Sequence, residues 1–235
     1  MFVFYKLCLG HLIADFILQF EELYRLKLRS VLGHSAHAVI HGLCYALLLA
    51  PYLSKPRIVI LLAVLTAIHY YQDRIKYSLQ EKYPRQIFAC FTIDQILHFL
   101  FLGSVLLLPE GRVEPAFSQM GRLETLYLSS KATLLLSGFI AAGFASGYFL
   151  HALRKSYVPG TRPDHFITSF EMAHGLLERG WIFLVFTFAA EPGQLFFALP
   201  VGLLRLLRAP LKSPLDFALA FAVSALLGLF FRRWF

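Results

Sequence analysis

The sequence predicts an all-α protein, a bundle of about eight helices that crosses a membrane several times. Of its 235 residues, 58% are hydrophobic and only 15% are charged, whereas soluble domains are usually about half apolar and about a quarter charged. The apolar residues form long runs, and a helix needs roughly 20 mostly apolar residues to cross a bilayer. No segment shows the two-residue alternation of a membrane strand, so the spans are predicted to be helical.

The apolar runs place the crossings in order along the chain. The first, 3–20, contains a histidine and an aspartate and lacks the small-residue cleavage site of a signal peptide, so we expect it to be retained. Further crossings are predicted at 35–53, 57–77, 87–108, 132–152, 173–190, 195–208 and 215–231. The first four are expected to be joined by short loops, and Glu191–Gln194 is predicted to form a tight turn. Interfacial loops are predicted at 109–131 and 153–172.

The polar residues of the first half indicate a duplication. Counted from His11, the polar positions of the first two crossings fall at 0, 4, 26 and 30, and counted from His69 those of the next two fall at 0, 4, 25 and 29. We therefore predict that the N-terminal half consists of two tandem helical hairpins. The predicted organisation is a four-helix unit at 1–108, the interfacial loop at 109–131 and a second helical unit at 132–235.

The net charge of +8 does not indicate a nucleic-acid partner, because the basic residues lie at helix ends, where membrane orientation accounts for them. Fourteen of the lysines and arginines fall in loops on one side of the predicted bundle and eight on the other. The positive-inside rule then places the first loop in the cytoplasm and both termini outside. Three scattered cysteines within apolar segments indicate neither a disulfide framework nor a zinc knuckle.

The first four crossings carry ionisable side chains spaced four residues apart, which places each pair on one helix face. Ionisable residues are rare inside membrane helices because each costs about 2.5–3.5 kcal/mol near the bilayer centre, so such residues usually have a function. Each pair lies near the cytoplasmic end of its helix, so the four helices can bring them to one site. The pairs are His11 with Asp15, His37 with His41, His69 with Asp73, and Asp94 with His98, and His34 shares a face with the second pair.

These residue types predict a metal site. Imidazole nitrogen and carboxylate oxygen are ligands for zinc, iron or manganese, and eight groups would serve one or two ions. The predicted metal ligands are His11, His34, His37, His41, His69 and His98. Asp15, Asp73 and Asp94 are predicted to be ligands, orienting groups or a general base. The alternative is a buried hydrogen-bonded network that only ties the helices together.

Two further groups of residues are weaker candidates. Lys27 and Lys76 lie just cytoplasmic of the predicted site and could contact the phosphate of a lipid, although topology alone explains them. Glu171, His174 and Glu178 form a possible second cluster, because E-x-x-H occurs in di-iron bundles.

At these residues the chain resembles the bacterial membrane family catalogued as domain of unknown function 3307. The resemblance is carried by GHLIADFILQF at 10–20, the histidine helix at 34–41, HYYQDRIK at 69–76 and IDQILHF at 93–99, with a looser match of GLLERGWIF at 175–183. It implies a multi-pass protein of the bacterial inner membrane, and it implies no reaction.

The leading functional hypothesis is a membrane-embedded metal-dependent enzyme near the cytoplasmic face. It would hydrolyse a lipid or phosphate ester, or oxidise a lipid with iron. The expected partners are the bilayer and a lipid or anionic small-molecule substrate. One alternative is a transporter or channel coupled to protons or metal ions. The other is a structural membrane partner with a buried network.

Overall fold

The structure, a computed structural model, describes residues 1–112, 114–115, 121–158, 169–198, 200–201 and 214–235. Every regular element in these residues is helical, which confirms the all-α prediction. The α-helices are α1 (Phe2–Leu12), α2 (Glu21–Arg29), α3 (Val31–Leu48), α4 (Pro56–Lys82), α5 (Ile87–Leu102), α6 (Arg122–Leu128), α7 (Ser130–Ile140), α8 (Ser146–Tyr157), α9 (Ser169–Phe188) and α10 (Pro214–Arg232). π-Helical turns lie at Ile13–Ile17 and Ala141–Ala145, and 3-10 turns at Ala50–Tyr52, Gly103–Leu107, Pro109–Arg112 and Pro192–Ala198.

Several of these helices are long and apolar enough to cross a membrane. In the described part of the chain, four helical segments have the length and apolar composition of a membrane span, namely Val31–Leu48, Pro56–Lys82, Ile87–Leu107 and Ser130–Tyr157. Phe2–Ile17 with Glu21–Arg29 makes a fifth if that bent pair is one span. Their outer faces expose large apolar side chains such as Leu47, which is 75% exposed, and Ile60. The protein is therefore a multi-helix membrane protein, and its helix count is consistent with the predicted number.

Helix α1 lies at the centre of the bundle. One of its faces packs Val3 and Leu7 against Tyr45 of α3 and Leu62 of α4 in an apolar cluster. Further along the helix, Leu12 packs with Ile140 at the end of α7 in a second cluster. Because α1 is surrounded by other helices, its polar side chains point into protein and away from lipid, which lets one helix present ligands to three neighbours.

The chain after the first predicted crossing forms helix α2, whereas the sequence predicted a short loop there. Residues Glu21–Arg29 form an amphipathic helix that bends by 86° from Phe2–Ile17. Its mean hydropathy is low, so it contains no apolar run that would indicate a helix in the sequence. Gly33 allows the close return into α3, since a Cβ there would overlap the backbone of Leu26 and Lys27. Ser30 caps α3 by accepting a hydrogen bond from the Gly33 amide.

The second half contains a span with a π-helical turn. Helices α7 and α8 join through Ala141–Ala145 into the single span Ser130–Tyr157. A π turn frees backbone carbonyls from regular pairing, and these need donors inside a membrane. Arg179 of α9 supplies them, donating to the carbonyls of Ala142 (3.2 Å) and Gly143 (2.6 Å).

The other predicted segments of the second half are only partly described. The predicted loop 109–131 contains a 3-10 turn and helix α6, and helix α8 extends to Tyr157 within the predicted loop 153–172. The predicted crossing 195–208 begins within a 3-10 turn that ends at Ala198, and most of the rest lies outside the described residues.

Candidate metal centre

The four predicted pairs meet at one buried site between α1, α3, α4 and α5. All eight residues of the four pairs are at most 5% exposed. Helix α1 and its π turn contribute His11 and Asp15, and each of the other three helices contributes one pair. The eight residues are His11, Asp15, His37, His41, His69, Asp73, Asp94 and His98.

Asp15 is the hub of the site, and its two carboxylate oxygens face different histidines. Oδ1 lies 3.0 Å from Nε2 of His37, 3.0 Å from Nε2 of His41 and 3.8 Å from Nε2 of His69. Oδ2 lies 3.4 Å from Nε2 of His11. Each carboxylate oxygen of Asp15 faces its own set of imidazoles and could share an ion with them.

The π-helical turn at the end of α1 presents Asp15. It covers Ile13–Ile17 with Asp15 at its centre, and the amide of Leu18 closes it on the carbonyl of Ile13 at 2.9 Å. Single π turns inside α-helices occur frequently at functional sites. The i, i+4 spacing of His11 and Asp15 predicts an ordinary α-helical face, and this spacing alone does not indicate a π turn.

The five imidazoles form a continuous cluster of rings. His41 and His69 stack with centroids 3.5 Å apart, and His69 lies 4.5 Å from His98. His11 lies 4.8 Å from His98, and His37 lies 4.8 Å from His41. Rings this close in a buried site would repel if several carried a proton, so the arrangement favours neutral imidazoles, the form that binds metal.

Two groups of side chains can each hold a metal ion. Asp15, His37, His41 and His69 form the first group, and His11, Asp15 and His98 form the second, with the ligand atoms of each group within 4.8 Å of one another. Tetrahedral zinc at about 2.0–2.1 Å from nitrogen would need ligand atoms roughly 3.4 Å apart. Small rotations of the side chains would therefore close either group around an ion.

Unsatisfied nitrogens also fit a metal. Within the described part of the chain, both ring nitrogens of His69 and both of His98 are buried without a hydrogen-bond partner, as is Nδ1 of His11. A buried polar atom without a partner costs about 1–3 kcal/mol, and such atoms need an explanation in a native structure. Coordination of an ion would satisfy one nitrogen of each ring.

A chain of ion pairs lies beside the imidazoles. Asp73 contacts Nζ of Lys27 at 2.6 Å and Nζ of Lys76 at 2.7 Å, and Lys76 also contacts Asp94 at 3.1 Å. Lys27 additionally donates to Oε1 of Gln19 at 2.6 Å. The two predicted phosphate-binding lysines thus pair with carboxylates of the site. Asp73 lies among the lysines and belongs to neither group of ligands.

Gln95 connects the ion pairs to the imidazoles. Its Nε2 donates to Oδ2 of Asp15 at 3.3 Å and to Oδ2 of Asp94 at 3.2 Å, and its Oε1 lies 3.4 Å from Nε2 of His11. Gln95 is not among the predicted site residues, although it lies next to Asp94 in the sequence. Tyr45, four residues after His41, was also missed, and its hydroxyl lies 3.3 Å from Nδ1 of His41.

The remaining predicted residues lie outside this cluster. Nδ1 of His34 lies 3.3 Å from the carbonyl of Ser30, its ring packs against Tyr70 and Tyr77, and it belongs to neither ligand group. Helix α9 carries the predicted second cluster. The side chain of Glu171 is outside the described part of the structure. His174 and Glu178 belong to neither group of ligands found among the described residues.

The comparisons with known proteins support the resemblance that these residues carry. The family described as "Protein of unknown function (DUF3307)" matches residues 3–118, which include all eight residues of the cluster. Neither the curated proteins nor the solved structures gave a match. The region that builds the histidine and aspartate cluster, residues 3–118 of the chain, belongs to the DUF3307 family.

Proposed function

We propose that the protein is a membrane-embedded metal-dependent enzyme whose centre is formed by Asp15 and the five imidazoles around it. The observation that carries the proposal is the position of Asp15 between two groups of histidines. Two-metal sites in hydrolases commonly hold the ions about 3.5–4 Å apart, and a carboxylate that uses both oxygens can span such a pair.

Charge balance supports a cation at this place. The carboxylates of Asp73 and Asp94 pair with Lys27 and Lys76, so these four charges cancel. Among the described residues, no lysine or arginine lies within ion-pair distance of Asp15, and the nitrogens around it belong to the Gln95 amide and to histidines that are at most 4% exposed. A buried carboxylate is costly unless it is paired or binds a metal, and a divalent ion would balance it while using neutral imidazoles.

The chemistry follows from the groups around the site. A bound divalent ion would act as a Lewis acid and make water nucleophilic near neutral pH. Asp94, which lies 3.5 Å from Nδ1 of His98, would orient that imidazole. Gln95 would hold the Asp15 carboxylate in place through its amide. Lys76 is fixed between two carboxylates and could move toward a phosphate if one of these pairs opened.

These groups suit hydrolysis of a lipid or phosphate ester in the membrane of a bacterium. The test is turnover in proteoliposomes of phosphatidylglycerol and phosphatidic acid, with release of phosphate or headgroup measured after loading with zinc, manganese or iron. We expect metal-dependent release by the native chain and at least about a hundredfold less by His41→Ala, as for loss of a positioned catalytic group. Metal-loaded protein with no release, and no oxidised lipid after loading with iron, would contradict an enzymatic role.

A proton or metal-ion pathway is the second candidate, favoured by one observation. An unbroken polar track runs from Asp15 to Gln19, which lies between the π-helical turn and α2, through Gln95, Asp94, Lys76, Asp73 and Lys27. Polar tracks inside membrane proteins conduct protons and ions. Flux of protons or zinc in the same proteoliposomes, lost in Asp73→Asn, would support this function instead.

A further inference from the structure

A groove of about 400 Å³ runs along the outside of α5 next to α8. Apolar side chains form almost all of its wall, namely Phe91, Ile96, Phe99 and Leu100 of α5 and Phe149 of α8. Both helices belong to segments that can cross a membrane, and Leu100 is 66% exposed. The groove therefore opens toward the hydrocarbon of the bilayer, and its volume falls within the range of small-molecule sites, roughly 300–1,000 Å³.

Two polar side chains interrupt the apolar wall on the same side of α5. Thr92 Oγ1 is buried and has no hydrogen-bond partner among the described residues. Gln95 lines the groove and also contacts Asp15, Asp94 and His11. One amide side chain therefore separates the groove from the candidate metal centre. A ligand in the groove would have an apolar body and a polar group near Thr92 and Gln95.

We infer that the groove binds a single hydrocarbon chain of an amphiphilic lipid and brings the polar group of that lipid to Gln95. A packed membrane helix would need a face of small residues to approach closely, whereas this wall consists mainly of phenylalanine, isoleucine and leucine. A hydrocarbon chain is flexible enough to follow such a concave aromatic wall. The inference rests on the proposed function insofar as the lipid is the substrate of the centre.

The experiment uses the full chain in nanodiscs that contain phosphatidylglycerol with a diazirine on a palmitoyl chain, a few carbons from the ester. After irradiation, cross-linked peptides are quantified by mass spectrometry. We expect Phe91, Ile96 and Phe149 to be labelled about tenfold more than Leu43 and Leu47, which are exposed on the outer face of α3. Unlabelled palmitate should reduce labelling of the groove but hexanoate should not, because affinity grows with each buried methylene.

The matched variants are Thr92→Trp, which fills the groove, and Leu47→Trp, which adds the same side chain on the outer face of α3. Labelling at Phe149 should fall about tenfold in Thr92→Trp and stay unchanged in Leu47→Trp. Equal labelling of the groove and of α3 in the native chain, without competition by palmitate, would overturn the inference even if Thr92→Trp does not fold.

Metal content measured on the same samples separates this inference from the proposed function. If the groove is labelled in a protein that holds no metal, the groove is a lipid site and the proposed enzymatic role is contradicted. If the protein holds metal but the groove is not labelled, the metal centre is supported and the lipid site is contradicted.

Discussion

Asp15→Asn is expected to release metal from both groups of ligands, so that a chain holding about one or two ions retains close to none. The carboxylate belongs to both groups, and its two oxygens face opposite sets of histidines. The amide is nearly the same size and still accepts a hydrogen bond, but it carries no charge to balance a cation. Elemental analysis of protein purified in mild detergent measures the loss.

The matched control for Asp15→Asn is His34→Gln. His34 is a buried histidine on the same helix as His37 and His41, and it belongs to neither group. Its replacement should leave the metal content unchanged. His98→Gln should remove only the ion of the second group. Metal retained by Asp15→Asn, or lost equally from His34→Gln, would contradict a site centred on Asp15.

Asp73→Asn is expected to lower the free energy of unfolding by about 3–5 kcal/mol, the usual effect of removing one partner from a buried ion pair. Asp73 is 2% exposed and contacts two lysine ammonium groups at 2.6 and 2.7 Å. Lys76 keeps Asp94 as a partner, but Lys27 would remain buried, and among the described residues it would keep only the amide oxygen of Gln19. Unfolding by dodecyl sulfate in mixed micelles measures the change.

Glu21→Gln is the matched control, because the chemical change is the same and the Glu21–Arg25 pair has the same contact distance of 2.6 Å. The Arg25 side chain is 59% exposed, so this pair should contribute about 1 kcal/mol or less. Adding Lys27→Met to Asp73→Asn should restore part of the stability, since the uncompensated charge is then removed. Equal losses in Asp73→Asn and Glu21→Gln would show that the lysines are not buried with Asp73.

The convergence of the four pairs could be predicted from the sequence because it depends on simple geometry. Residues four apart share a helix face, and an ionisable group in an apolar helix must point toward protein. Those two rules placed His11, His37, His69 and His98 at one site, and the structure brings them there. The long apolar runs and the absence of a two-residue alternation correctly predicted an all-helical membrane protein.

The partners of the lysines could not be predicted in the same way. Lys27 reaches Asp73 only because α2 folds back at an angle of 86°, and a short amphipathic helix leaves no signal in an apolar-run search. Phosphate contact by these lysines stays a prediction. The contacts of Gln95 depend on how α5 is rotated against α1, which no spacing within one helix determines.

Metal analysis of the native chain tests the central claim most directly. The protein would be purified in mild detergent without chelators and its transition metals counted per chain, before and after dialysis against a chelator. We predict about one or two zinc, iron or manganese ions per chain, retained by His34→Gln and lost from Asp15→Asn. A native chain that stays free of metal after incubation with each of these ions would contradict the metal centre. The cluster would then be a hydrogen-bonded network that ties the helices together.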